Sequence, residues 1–164
     1  MSTGLVVVVW LLIAVGCAAL RPLSLDVPPG HRAVLGRLDV TGLGLSEGIL
    51  ELVKEDRTFE DTIHVSLGWR EFAIALPPGR YLVTRLRAFK DSRFYPDLPL
   101  WDLKLAFDVG LEPAVYIGTL RFGARAGRSM SIQVLDEYED TLRTLRTRYS
   151  DLPATAARSL LQPQ

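Results

Sequence analysis

The sequence has one cysteine, two histidines and no net charge, with 19 Lys+Arg set against 19 Asp+Glu. A single cysteine cannot close a disulfide within the chain, so a small disulfide-stapled scaffold is excluded. Balanced charge argues against a nucleic-acid binder, which carries a basic surplus, and against a highly charged disordered chain. Charge is also missing from one whole region, because the first 20 positions hold no Asp, Glu, Lys or Arg while 16 of the 20 are hydrophobic. At 164 residues the remainder is long enough for one domain of ordinary size. No pattern in it calls for a cofactor.

Leu5 to Leu20 read LVVVVWLLIAVGCAAL, an apolar run of export-signal length, shorter than the ~20 residues of a comfortable bilayer crossing. The residues up to the cysteine, Ile13-Ala14-Val15-Gly16-Cys17, resemble a bacterial lipobox. The resemblance implies that the thiol is diacylated, that the leader is cut just before it, and that Cys17 becomes the lipidated first residue of a protein anchored in the cell envelope and facing the periplasm. Ala18 after the cysteine, by analogy with enterobacterial lipoproteins, favours the outer membrane. Lipidation would also account for the unpaired thiol, a liability in an oxidising compartment. More than one acyl chain makes the anchoring stable, where one chain holds only marginally. Met1 to Gly4 contain no basic residue and Ala14 stands where Leu is commoner, so two alternatives remain: soluble secretion with cleavage near Ala19, and an uncleaved N-terminal helix.

After this leader (1–20), the segment 21–30 carries three prolines and no periodicity and reads as a tether. From His31 onward the signal is alternation. Val34, Gly36, Leu38 and Val40 share one face, with Leu35, Arg37 and Asp39 on the other. Further alternating sets are Leu50/Leu52, Ile63/Val65/Leu67, Phe72/Ile74/Leu76, Trp101/Leu103/Leu105/Phe107, Tyr116/Gly118/Leu120/Phe122 and Ile132/Val134. Glycine and proline clusters at 42–44, 67–69, 77–79, 96–99 and 123–127 separate them. In the strand Tyr81 to Phe89, Tyr81/Val83 and Leu82/Leu86/Ala88 imply opposite inward faces, which a bulge would reconcile. Seven to eight short strands without intervening helices predict one antiparallel β-sandwich, transthyretin-like or Ig-like, over 31–135.

Past Leu135 the period changes. Tyr138, Leu142, Leu145 and Tyr149 fall on one helical stripe, predicting an amphipathic helix over 136–150. Asp136 with Glu139 resembles a capping box, and Glu139 to Arg143 is a favourable helical pair. The stripe packs on the sandwich or, alternatively, receives a partner. The segment 151–164 reads as a flexible tail.

The turn Leu76-Pro77-Pro78-Gly79-Arg80-Tyr81 and the strand Ala114 to Leu120 together resemble a family of uncharacterised bacterial envelope lipoproteins with a transthyretin-like or carboxypeptidase-regulatory-like β-sandwich, often closing with a short helix. The resemblance spans about His31 to Asp151 and brings no catalytic residues.

Several patterns invite a chemical reading. Gly44-Leu45-Ser46-Glu47-Gly48 matches the G-x-S-x-G nucleophile elbow, but an elbow needs a helix after it, and Ile49 to Val53 reads as a strand. The glycines at 42, 44 and 48 miss the dinucleotide-binding spacing by one position. Glu60, Asp61 and His64 lie close together, yet successive residues of a strand point to opposite faces, whereas a metal needs convergent ligands. Arginine greatly outnumbers lysine throughout, and Arg85 and Arg87 on an outward face would simply be solvated. The stretch 91–101 joins Arg93, Phe94, Tyr95 and Trp101 with two prolines. Such a composition suits an ordered recognition surface, or aromatics that cap the open end of the core.

The expected function is therefore non-enzymatic: a lipid-anchored envelope protein serving as a binding or structural module for a protein or envelope-polymer partner, with no nucleic acid, metal or cofactor. The enzyme alternative is a secreted or anchored hydrolase using Ser46 or the Glu60/Asp61/His64 group.

Overall fold

The computed structural model describes residues 22–65, 70–89, 100–125 and 130–164. The alternating segments become β1 (Arg32–Gly42), β2 (Glu47–Lys54), β3 (Glu60–Val65), β4 (Glu71–Leu76), β5 (Gly79–Phe89), β6 (Leu100–Val109), β7 (Ala114–Ala124) and β8 (Met130–Leu135). The helix α1 (Tyr138–Arg148) follows, then the two-residue strands β9 (Ala157–Arg158) and β10 (Gln162–Pro163). They form two five-stranded sheets, β4-β1-β7-β8 with β9 also on β7, and β10-β6-β5-β2-β3. The result is the mainly β, sandwich-like fold with a C-terminal helix that the alternation predicts. Pairing is antiparallel except at the centre of the first sheet, where β1 and β7 run parallel, and between β7 and β9. A parallel pair needs a long crossover, and here the chain traverses the second sheet between the two strands.

Apolar residues of both sheets meet in one core. Val34, Leu38 and Val40 of β1 face Leu50, Leu52, Leu86, Leu105 and Phe107 of the other sheet. On the outer face of the first sheet, Ala33, Leu35, Ala73 and Tyr116 form a second cluster closed by Leu142 and Leu145 of α1. Burial of these two leucines, at 1% and 0% exposure, removes the reading of α1 as a free partner-binding helix.

Two bulges determine which side chains turn inward. In β5, Arg85 pairs with Glu51 and Val83 with Leu52, leaving Thr84 as an extra residue. Tyr81, Val83, Leu86 and Ala88 thereby all reach the core. In β7, Tyr116 faces Leu35 and Thr119 faces Arg37, so Gly36 stands opposite both Ile117 and Gly118. Gly118 takes φ +102°, a conformation costly for any residue with a side chain. Val115 and Ile117 point inward before this bulge, and Leu120 and Phe122 after it. The expected set Tyr116/Gly118/Leu120/Phe122 is therefore split, with Tyr116 buried on the opposite face, under the helix. On the edge strand β8, Val134 packs against the core while Ile132 is 36% exposed.

The helix is shorter than expected, and its N-cap is Glu137, which makes no side-chain capping bond. Asp136 Oδ1 accepts from the Tyr138 amide at 3.3 Å, so the predicted capping box does not form. Arg143 pairs with Asp140 at 2.8 Å in place of Glu139. Acidic Glu139 and Asp140 in the first turn and basic Arg146 and Arg148 in the last still complement the helix dipole.

Both supposedly loose segments are bound to the body. In the expected tail 151–164, β9 pairs with β7 and β10 with β6, and Leu161 enters the main core at 3% exposure. The Leu161 amide donates to Ile117 O at 3.0 Å, so the tail fastens both sheets along one side. The expected tether is pinned at Leu23, which bridges to Tyr149. Among the described residues no helix is long and apolar enough to cross a membrane.

The sandwich has two ends. One carries the turns at 55–58, 77–78 and 110–113 and the start of β1; the other carries 43–46 and the strand ends Val65, Phe89, Leu100, Ala124 and Met130.

Candidate functional site

Of the residues singled out by the sequence, Cys17, Arg93, Phe94 and Tyr95 lie outside the described residues. Trp101 is half-buried in β6, pairs in register with Leu86 and packs against the main core. It belongs to the strand that follows residues 90–99. Its neighbour Leu100 is exposed.

Ser46 sits in the connection between β1 and β2. Val40 and Thr41 carbonyls accept from the Leu43 and Gly44 amides, Gly44 takes φ +72°, and the Ser46 amide donates to Phe89 O at 3.1 Å. The G-x-S-x-G stretch thus leads from strand to strand, without the helix that aims a nucleophile elbow. On β3, Glu60 and His64 are exposed and separated by four positions, about 13 Å of extended chain, while Asp61 alternates to the other side. His64 Nε2 lies 3.9 Å from Glu47 Oε2 on β2 and not beside Glu60. Among the described residues no three His, Cys, Asp or Glu side chains are grouped to hold a metal ion.

What the fold does assemble is a charged platform on the outer face of the first sheet, beside the N-terminus of α1. After the β7 bulge, Arg121 projects on the same face as Arg37 and Asp39 of β1. Arg121 pairs with Asp39 at 3.3 Å and with Glu137 at 3.2 Å; Arg37 pairs with Glu71 at 3.5 Å and with Glu137 at 3.4 Å. Arg70 lies 3.6 Å from Asp39, completing three arginines against three carboxylates. The Glu137 side chain is thus committed to the sheet, which explains why it does not cap its own helix.

Asp39 is the anchor of this platform and is buried. Burial alone would raise its carboxyl, but the hydroxyl and amide of Thr41, at 2.5 and 3.1 Å, together with Arg70 and Arg121, hold it below the ordinary carboxylate value. A charge-balanced network of this kind fixes α1 on the sheet. On the second sheet, Arg85 and Arg87 point outward as expected and pair with Glu51 at 3.4 and 3.2 Å.

A second constellation surrounds Asp151. Its carboxylate accepts from the Ser24 hydroxyl at 2.6 Å and the Leu25 amide at 2.9 Å. The Ser24 bond, then that from Leu25, lowers its pKa, against a smaller opposing effect of burial. Beside it lies an open groove of about 660 Å³, bordered by Val27, His31, Leu111, Pro113 and Pro153.

Neither constellation is among the sequence candidates. For Asp39 a local signal exists, since Asp-x-Thr suits a side-chain turn closed onto the Thr41 backbone. For Asp151 none exists, because its partners lie more than a hundred positions away.

Compared with protein-family models, with curated proteins and with solved structures, the chain finds no match.

Proposed function

We propose that the chain is a non-enzymatic cell-envelope protein, held to a membrane through acylated Cys17, whose β-sandwich is a binding or structural module for a protein or envelope-polymer partner. Export into the periplasm, with the outer membrane favoured, accompanies this reading. The observation that carries it is the gathering of connections at one end of a rigid sandwich. The connection 43–46 lies there with the strand ends flanking 90–99 and 126–129. Recognition surfaces are commonly built from loops that a packed scaffold positions. Arg93, Phe94 and Tyr95 belong to one of these connections, and aromatic and arginine side chains supply most hot spots of protein interfaces. Trp101, on the strand that follows them, packs against the main core.

The test replaces residues 91–99 by a Gly/Ser stretch of equal length in the full chain and compares capture of envelope components by cross-linking with that of the wild type. Partners recovered with the wild type and lost with the replacement support the proposal. Unchanged recovery with the domain still folded would overturn the assignment of this end.

A further inference from the structure

The path by which the chain enters the domain has a bearing on how the domain meets a membrane. The Leu23 amide donates to Arg148 O at 2.7 Å, and the Leu23 carbonyl accepts from the Ser150 amide at 3.0 Å. The Ser24 hydroxyl and the Leu25 and Asp26 amides then converge on the Asp151 carboxylate, and Leu25 packs into the cluster beneath α1. Asp26 takes φ +49°, so the clasp imposes a conformation that a slack linker would avoid. A free spacer of ten residues is therefore replaced by a body that begins at about position 23.

Cys17 and Leu23 are six chain steps apart. At about 3.5 Å per residue the connection reaches no more than ~20 Å. If the apolar run up to Leu20 stays in the bilayer uncleaved, the reach is shorter still. On the entry path Leu23 is 54% and Val27 37% exposed, and Leu111, in the connection between β6 and β7, is 80% exposed. Val27 and Leu111 border the same groove.

We propose that the groove face is seated on the lipid bilayer, with Val27 and Leu111 entering its interfacial region, while the end that carries 43–46 is held away from the membrane. The proposal rests on the anchored reading above and adds the orientation. Apolar side chains at an interface bury into the headgroup boundary, about 5–10 Å deep. The charged side chains bordering the groove are mixed: Asp26 and Asp151 against Arg32. Asp151 is occupied by the clasp, and Arg32 bonds the Leu111 carbonyl at 3.0 Å. Contact with lipid is therefore apolar in origin and needs no anionic headgroup. β1 and β7, each of eleven residues, separate the two ends of the sandwich by about 35 Å. The strand ends Phe89 and Leu100 lie at the remote end, on the aqueous side where a partner would be met.

The experiment uses the full chain, acylated in a bacterial host and reconstituted into phosphatidylethanolamine/phosphatidylglycerol vesicles carrying a nitroxide lipid. An environment-sensitive fluorophore is attached to Leu111→Cys or, at the remote end, to Arg125→Cys; both native side chains are exposed. The expected result is a blue-shifted Leu111→Cys label quenched several-fold more than the Arg125→Cys label. Equal, water-like emission from both labels on vesicle-bound protein overturns the orientation and leaves the anchor standing. Failure of the protein to sediment with vesicles overturns the anchored reading, and the orientation with it.

Discussion

Truncating Tyr116 tests the packing of helix on sheet. Its ring is fully buried on the outer face of β7, edge-on to Tyr138 at 5.4 Å and clustered with Leu35, Leu142 and Leu145. Its hydroxyl accepts from the Glu137 amide at 2.9 Å, satisfying the N-cap N–H that would otherwise lack a partner. Removing about 200 Å² of buried surface at ~25 cal/mol/Å² forfeits about 5 kcal/mol. Residual burial in the unfolded chain lowers that figure, and a cavity raises it. Tyr116→Ala should therefore cost about 3–5 kcal/mol in urea unfolding, and Tyr116→Phe, which removes only the acceptor, about 1 kcal/mol. A double-mutant cycle with Leu145→Ala should show coupling of about 0.5–3 kcal/mol, because the two side chains share a cluster. A loss below about 1 kcal/mol for Tyr116→Ala, or strict additivity with Leu145→Ala, would refute the placement of this ring beneath the helix.

Acid should loosen the charged platform. The Asp39 carboxyl is lowered in the folded state, so its support is present above the ordinary carboxylate pKa and is lost as pH falls through the folded value. Wild-type stability should thus decline below about pH 4, and Asp39→Asn should start lower at neutral pH and decline less; parallel curves in urea titrations at several pH values would contradict this. Leu161→Ala should cost about 2–5 kcal/mol in the same assay, since the side chain lies in the main core at 3% exposure. A change within about 0.5 kcal/mol would mean that the C-terminal segment is loose.

How far the fold was legible depended on whether a pattern is local. Val34, Leu38 and Val40 alternate with Arg37 and Asp39, and the structure buries the first set between the sheets while the second joins the charged platform on the outer face. The same holds for Leu103, Leu105 and Phe107 of β6. In β5 the conflict between Val83 and Leu86 already called for a bulge, and Thr84 provides it. In β7 the pattern holds no conflict: a glycine carries no polarity, so the reset at Gly118 is silent and alternation alone puts Tyr116 on the same face as Leu120 and Phe122. The parallel pairing of β1 with β7 is equally invisible, because alternation states a strand's faces and not its neighbour. Leu160 and Leu161 are flanked by strands of two residues, too short for any period, so the segment read as a tail. The platform shows the same division: Arg37 and Asp39 were legible as outward, while their partners Glu71, Arg121 and Glu137 come together only in the folded sheet.

The central claim is attachment to a membrane through Cys17, and the most direct measurement is the intact mass and N-terminal peptide of the mature protein purified from membranes. The account predicts a mature chain that begins at Cys17 and carries acyl groups, with Cys17→Ser leaving an unacylated precursor or a soluble product. An unmodified Cys17 in a protein that stays with the membrane, or a mature chain beginning beyond it, would contradict the account.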